Sequence, residues 1–129
     1  MSRIKKKILQ HLAQEVYCRL GISTVHGIGV FAIRSISEGI DPLRSMIDYE
    51  EVKFDKSELK DLSKSVREQI KMFCYYRKSD VYVPTMGLNT MNLGVYINHS
   101  KAPNIRMKRN GAFETLRLIH KGLSLIHIS

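Results

Sequence analysis

Val25-His26-Gly27-Ile28-Gly29-Val30-Phe31-Ala32 is the stretch of this sequence that decides its fold. Its paired glycines allow a positive φ and let a ligand approach backbone N–H and C=O groups closely, although an isolated pair is more often a tight turn between strands. Gly27, Gly29 and Ala32 also match the dinucleotide-binding fingerprint, which requires a helix directly after it within a βαβ unit. The β-branched segment from Ile33 to Ile40 leaves no room for that helix. We therefore reject a dinucleotide-binding fold.

A second polar cluster lies far along the chain at Ile97-Asn98-His99-Ser100-Lys101-Ala102-Pro103-Asn104. Asn98 offers donor and acceptor groups, and His99 offers a planar ring with two distinguishable nitrogens. This combination at the end of a strand fits the binding of a polar heterocycle, and a hydrogen-bonded Asn/Ser turn is the alternative interpretation. No Ser or Cys stands in a nucleophile-elbow context, so a nucleophilic triad is not indicated.

The remaining pattern predicts an α+β domain, mainly β, in which short strands surround one or two helices. Apolar residues at helical spacing predict amphipathic helices over residues 4–16 and 55–73. Asp55 and Glu58 form a capping-box pattern at the start of the second helix. Strand-forming runs predict strands at 16–20, 30–33, 81–84, 95–97 and 113–116. Turns are expected at Gly87, at 102–104 and at Asn110-Gly111, a hairpin signal.

Together, the two polar stretches resemble the SET-domain family of protein-lysine methyltransferases, in the minimal form of small bacterial and viral members. The order, spacing and flanks of the two motifs carry the resemblance, which spans most of the chain. The matching segments are Tyr17-Cys18-Arg19, Gly21-Ile22-Ser23, His26 to Ala32, Ile36 to Gly39, Tyr96 to Ser100, Pro103-Asn104, Phe113 to Ile119 and Lys121-Gly122. The resemblance implies a SET-domain fold of several short curled β-sheets with a helical insert.

The resemblance also implies an enzyme that uses S-adenosylmethionine to methylate lysine side chains of a protein substrate. Gly27, Ile28 and Gly29 would line the methionine end of this cofactor through their backbone groups. Asn98 and His99 would contact its amino group and its adenine. The target lysine would enter from the opposite face through a narrow channel.

Aromatic side chains of the lysine channel are harder to assign. Tyr82 and Tyr96 are the candidates, because both precede the Asn-His-Ser motif in predicted strands. Core packing is the more frequent role of a tyrosine in a strand and remains the alternative.

The C-terminal end departs from the family pattern. After Lys121-Gly122 the family continues with Glu-Glu-Leu, two variable residues and Asp-Tyr, and that tyrosine orients the substrate amine. Here the chain reads Leu123-Ser124-Leu125-Ile126-His127-Ile128-Ser129, and no tyrosine follows Tyr96. We therefore expect a missing C-terminal catalytic strand, an unknown catalytic residue and impaired turnover. The heptapeptide resembles a translated sequencing adaptor joined to a truncated gene, and a natural stop codon in independent genomic reads would refute this.

These observations divide the chain into three parts. An N-terminal helical extension would occupy residues 1–15, and the SET domain would occupy 16–122. Within that domain a variable helical insert is expected at about 55–78. Residues 123–129 would form a non-native tail.

The composition of the chain limits which partners and which cellular compartment can be expected. The formal net charge of +9 favours acidic partners, although a solvated basic surface without a specific partner is the alternative. Cys18 and Cys74 have no C-x-x-C spacing, so we expect reduced thiols and no metal site. No apolar stretch approaches the roughly 20 residues that span a bilayer, and no signal peptide is evident. We therefore expect no membrane association and a cytoplasmic protein, or a nuclear one in a eukaryotic host.

Two other classes of function stay open. A catalytically inactive SET-like module would bind a protein partner without transferring a methyl group. A basic nucleic-acid-binding module is suggested by Arg106, Lys108 and Arg109, and its affinity would fall steeply with salt.

Overall fold

The computed structural model describes residues 2–24, 27–47, 50–90 and 92–128, with Ile128 described by its main chain alone. The expectations for Val25 and His26 lie outside these residues. Two α-helices are present, α1 (Arg3–Gln14) and α2 (Lys64–Phe73). The strands are β1 (Cys18–Ile22), β2 (Ile28–Ala32), β3 (Glu51–Asp55), β4 (Tyr75–Arg77), β5 (Asp80–Pro84), β6 (Asn98–Ser100), β7 (Ile105–Met107), β8 (Phe113–Thr115) and β9 (Ile126–Ile128). Two 3-10 turns lie at Lys56–Leu59 and Leu93–Tyr96.

The described strands form several small sheets, as the predicted mainly β domain requires. β1 pairs with β2, β7 with β8, and β3 and β4 flank β5, all antiparallel. β6 and β9 form a parallel pair. By contacts the chain divides into two compact units. The first, called the terminal unit here, comprises Met1–Ile47 and Tyr96–Ser129, and the insert unit comprises Asp48–Val95.

The core of the terminal unit is built from short strands and bridges far apart in sequence. Val30, Ile36, Ile105 and Ile119 are almost completely buried, and each such side chain stabilises the fold by roughly 1.5–3 kcal/mol. Ile36 and Ile119 exchange backbone hydrogen bonds of 2.8 Å in both directions. Burial of these β-branched side chains explains why so little regular strand suffices to hold the unit together.

The C-terminal segment is part of this core. Leu125 is completely buried, and its backbone N–H donates to the carbonyl of Val30 at 2.8 Å. The N–H of Ala32 donates to the carbonyl of Leu123 at 2.9 Å, and β9 then runs parallel to β6. The C-terminal segment therefore does form a strand, and the absence of the family's catalytic strand stays a prediction. The alternating Leu-Ile-His-Ile sequence forms a strand by its own apolar pattern, although the family's tyrosine is absent from it.

Asn104 links this segment to the rest of the terminal unit. Its side-chain Nδ2 donates to the carbonyl of Ser124 and its Oδ1 accepts from the N–H of Ile126, both at 2.8 Å. Its backbone N–H donates to the carbonyl of Ile126, and its carbonyl accepts from Leu116, both at 2.9 Å. Asn104 is only 7% exposed, so its amide pairs with backbone groups in a place where water cannot substitute for them.

The helices differ from the prediction in a way that local capping explains. The predicted helix over 55–73 is interrupted: the Asp55 and Glu58 capping box is confirmed, but it caps the 3-10 turn. α2 begins only after Ser63, whose hydroxyl accepts from the N–H of Val66 at 3.4 Å. A competing cap thus ends the first turn and starts a new helix. None of the described helices is long and apolar enough to cross a bilayer.

The predicted position of the strand near the second motif is also corrected. Residues 95–97 were expected as a strand, but Val95 and Tyr96 end a 3-10 turn. Asn98–Ser100, expected to follow the end of that strand, is itself the strand β6. The strand begins here because its partner is β9, which is remote in sequence. The Asn110-Gly111 hairpin between β7 and β8 is confirmed, with Gly111 at φ +86°.

Asn104→Ala is expected to lower the free energy of unfolding by about 2–3 kcal/mol, because two buried backbone groups lose their partners. Asn110→Ala is the matched control: its Oδ1 accepts one exposed bond from Ala112 at 3.0 Å, and its loss should cost about 0.5–1 kcal/mol. Urea unfolding followed by circular dichroism measures both values. Equal losses would contradict the assigned role of Asn104.

Candidate functional site

The glycine stretch forms the end of the β1–β2 hairpin. Ile22 pairs with Ile28 in the register of the two strands, and the N–H of Ser23 donates to the carbonyl of Gly27 at 2.7 Å. Gly27 has φ +49°, which an L side chain adopts only with strain. The hairpin therefore presents the backbone of Gly27 and Ile28 without an obstructing side chain at Gly27.

Asn98 lies directly beside this backbone, although 70 residues separate the two segments. Its Nδ2 is 3.4 Å from the carbonyl oxygen of Ile28, a long hydrogen bond. A Cβ added at Gly29 would lie 3.0 Å from the same Nδ2 and 3.1 Å from the Cβ of Ser23. The absence of a side chain at Gly29 thus lets the amide of Asn98 approach the hairpin.

His99 is oriented differently from its neighbour. Successive side chains of a strand point to opposite faces, so His99 and Asn98 lie on different faces of β6. The exposed ring of His99 contacts His127 edge-on, with ring centroids 5.2 Å apart. The His127 ring also lies 6.5 Å from the ring of Phe113, again edge-on. Within the second motif, Asn98 thus contacts the glycine hairpin, whereas His99 contacts the aromatic ring of His127 on β9.

The pKa of His127 is lowered from its usual value, first by burial and then by the nearby charge of His99. Burial disfavours the charged imidazolium, and a proton on one ring repels a proton on the other. Both causes require the native packing of β9 beside β6. His127 is therefore a reporter of that packing as well as a titratable group.

The two candidate channel tyrosines lie in different units. Tyr82 is half-buried in β5 of the insert unit, where its ring lies 5.7 Å from that of Tyr75. Tyr96 is half-buried in the terminal unit, two positions before Asn98. A role of either tyrosine in a lysine channel stays a prediction. In the structure, Tyr82 packs against Tyr75.

The thiols do not have the surroundings of nucleophiles. Cys18 is buried in β1, and burial raises its pKa to about 11. Burial also raises the pKa of Cys74, to which the charge of Glu51 adds. Since the thiolate is the reactive form, both thiols are held in their unreactive state. Within the described ranges, no three His, Cys, Asp or Glu side chains are grouped so that they could hold a metal ion.

The basic cluster proposed for nucleic acid is partly neutralised. Glu114 lies 2.6 Å from Nη2 of Arg106 and 3.5 Å from Nζ of Lys108. The hydrogen bond from Arg106 is the main cause of the lowered pKa of Glu114, which keeps it ionised. Two of the three cations therefore have an acidic partner across the β7–β8 hairpin.

Sequence reasoning missed three residues that shape this site. The sequence predicts Asn104 as a turn residue and as part of a matching segment, Ser23 as part of a matching segment, and His127 as part of a non-native tail. An asparagine next to a proline indicates a turn, in which the side chain usually bonds to nearby backbone. The partner atoms on residues 124 and 126 could not have been chosen from the sequence.

No protein-family model and no curated protein matches the chain. Solved structures do match. A histone methyltransferase candidate of Plasmodium falciparum is 18% identical with a TM-score of 0.57, over 88% of this chain and 94% of that one. A humanized Chaetomium thermophilum Polycomb Repressive Complex 2, bound to an inhibitor, is 23% identical with a TM-score of 0.59, over 91% of this chain and 15% of that one. This likeness, at low sequence identity, indicates a SET-like fold for the chain.

Gly29→Ala is expected to lower the free energy of unfolding by about 1–2 kcal/mol, because the new methyl group crowds Asn98 and Ser23. In an Asn98→Ala background the same substitution should cost less, with a coupling energy of at least about 0.5 kcal/mol. A double-mutant cycle by urea unfolding measures this coupling. Strict additivity would mean that the two residues do not meet.

Acidification is expected to destabilise the protein through His127. Its pKa is lower in the folded than in the unfolded chain, so the unfolded chain binds the proton more readily. Stability is therefore full above the ordinary imidazole pKa of about 6.5 and falls as the pH drops through that value towards the folded one. His127→Gln should flatten this part of the profile of unfolding free energy against pH. An unchanged slope would contradict the assignment.

Proposed function

We propose that this chain is a SET-type protein-lysine methyltransferase that uses S-adenosylmethionine and whose turnover is impaired. The observation that carries the proposal is the approach of the Asn98 amide to the backbone of Ile28 and Gly29. The SET-like fold is the second support. A single cofactor cleft requires the glycine hairpin and the Asn-His-Ser motif to lie next to each other.

The residues at this place fit the proposed cofactor. When bound, S-adenosylmethionine supplies an electrophilic methyl group carried on a sulfonium sulfur. Backbone groups of Gly27, Ile28 and Gly29 would hold its methionine end, and the Asn98 side chain would contact its amino group. The ring of His99 lies on the other face of β6, so His99 would contact the adenine through its backbone. Because Gly29 has no side chain, a polar ligand can approach the same backbone that Asn98 approaches.

The lysine substrate imposes a further requirement on the chain. Its amine has a pKa near 10.4 in solution and must be neutral to attack the methyl carbon. An apolar channel lined by aromatic rings favours the neutral amine and excludes water. We assign this role to Tyr96, which lies close to Asn98 in sequence and in the same unit. Tyr82 remains a candidate on sequence grounds.

The impairment follows from the C-terminal segment. Leu125 falls at the leucine of the family's Glu-Glu-Leu pattern and is completely buried, so the segment can pack as the family's strand would. Ser129 falls at the position of the family's tyrosine. Without a phenol there, the substrate amine lacks an orienting hydrogen bond. The non-native origin of residues 123–129 stays a prediction, which independent genomic reads would test.

A catalytically inactive protein-interaction module is the second candidate function. The sequence favours it because Ser129 stands at the position of the family's tyrosine. In either case we propose a protein partner, a lysine-bearing substrate for the enzyme or a bound protein for the module. A cytoplasmic location, or a nuclear one in a eukaryotic host, is proposed for both.

Restoring the tyrosine should restore methyl transfer. We expect the Ile128→Asp, Ser129→Tyr double variant to transfer tritiated methyl groups from S-adenosylmethionine to lysines in a protein extract at least about tenfold faster than the unaltered chain, because the amine is then held in line. Ile128→Asp with Ser129→Phe is the matched control, since it differs only by the hydroxyl. Mass spectrometry of the labelled proteins identifies the modified side chain.

If the tyrosine variant is folded by circular dichroism but transfers no methyl groups to any protein pool, the proposed enzymatic activity is contradicted and the inactive module is favoured. Equal rates for the tyrosine and phenylalanine variants would contradict the role of the hydroxyl. Label on residues other than lysine would contradict the substrate class.

A further inference from the structure

The insert unit contains an open cavity of about 610 Å³ that no part of the proposed methyl transfer uses. Its volume lies within the range of about 300–1,000 Å³ that is typical of ligand pockets. Five cationic side chains line it: Lys56, Lys60, Arg67, Lys71 and Lys78. No acidic side chain is among its described lining residues.

This concentration of positive charge is local to the cavity. The insert unit has eight Lys and Arg residues and eight Asp and Glu residues, so its formal charge is zero. The net +9 of the chain therefore belongs to the terminal unit. A neutral unit that places five of its eight cations around one cavity, and its described acids elsewhere, has separated its charges.

Little in the described part of the unit compensates these cations. The salt bridges found among the described residues all lie in the terminal unit. Arg67 and Lys71 are four positions apart on α2 and line the same cavity, an arrangement that repels in an isolated helix. An anionic ligand would turn this repulsion into attraction.

The inner surface of the cavity is apolar and restricts the kind of ligand. Ile70 and Val81 are buried, and Leu59 and Tyr76 are half-buried beside them. Single-stranded nucleic acids are typically bound by free aromatic faces on which bases stack. The ring of Tyr76 is half-buried and has the ammonium of Lys56 5.4 Å from its centroid. The cavity has cationic side chains around its rim and apolar side chains on its inner surface. This arrangement is complementary to a peptide that has carboxylates on both sides of an apolar side chain.

We propose that this cavity binds an acidic peptide segment of a partner protein, with an apolar side chain on Ile70 and Val81 and carboxylates on the surrounding cations. The proposal goes beyond the proposed methyl transfer and does not depend on it. Charge complementarity sets the orientation of the peptide and its rate of association, and the apolar floor selects the side chain between the carboxylates.

Fluorescence anisotropy of the full chain with a fluorescein-labelled peptide, in which Asp and Glu flank a single Leu, tests the proposal. Lys60→Glu and Lys71→Glu are each expected to weaken binding about fivefold, because neither side chain has a described structural contact. Lys60→Arg and Lys71→Arg should bind as the unaltered chain does. A peptide with Gln and Asn in place of the acids, or Ala in place of the Leu, should bind more weakly.

Two charge controls separate the cavity from the general basic field. Lys64→Glu makes the same change on α2 outside the cavity, and Lys121→Glu makes it in the terminal unit. Both should leave the affinity nearly unchanged, and circular dichroism establishes that all variants fold. Equal weakening by the control and cavity variants would overturn the proposal, as would the absence of peptide binding. Preference for an oligothymidylate over the peptide, lost in the cavity variants, would overturn it in favour of a nucleic-acid site.

Discussion

The buried amide of Asn104 is the constraint on which the terminal unit depends. Its side chain pairs with the backbone of residues 124 and 126, and its own backbone pairs with Ile126 and Leu116. These bonds hold the C-terminal segment so that β9 can lie beside β6 and Leu125 can enter the core. Because an unpaired buried amide is costly, the arrangement is strongly favoured over slipped alternatives.

The position of the candidate site follows from this arrangement. β6 carries Asn98 and is paired on one side with β9, while the same C-terminal segment is hydrogen-bonded to β2 through Val30 and Ala32. One segment thus links the two motifs, and Asn98 meets the hairpin at Ile28 and Gly29. A stretch that looked foreign to the family pattern therefore has a structural role in the region where the two motifs meet.

Local rules allowed much of the fold to be predicted. The Asp55 and Glu58 capping box, the Asn110-Gly111 hairpin and the strands around 81–84 and 113–116 depend on neighbours in sequence, and all are present. Predictions failed where a partner is remote. Val95 and Tyr96 have strand-forming side chains but lie in a 3-10 turn, whereas Asn98–Ser100 becomes a strand because β9 is beside it.

The candidate site was predictable only in part for the same reason. Glycine pairs and Asn-His dipeptides are visible in a sequence, and the family resemblance supplied the expectation that they share a cleft. The distance between Asn98 and Ile28 and the contact of His99 with His127 depend on tertiary packing. The cationic cavity could not be predicted from the sequence, because its residues are spread over four elements and its cations are balanced by acids nearby in sequence.

Titration of the isotope-labelled full chain with S-adenosylmethionine, followed by backbone and side-chain amide resonances, tests the shared cleft directly and detects even weak binding. The proposed site predicts saturable shifts at the amides of Ile28, Gly29 and Asn98, and their loss in Asn98→Ala. Shifts confined to other parts of the chain, or no shifts at the highest attainable cofactor concentration, would contradict a methyl-donor site at this hairpin.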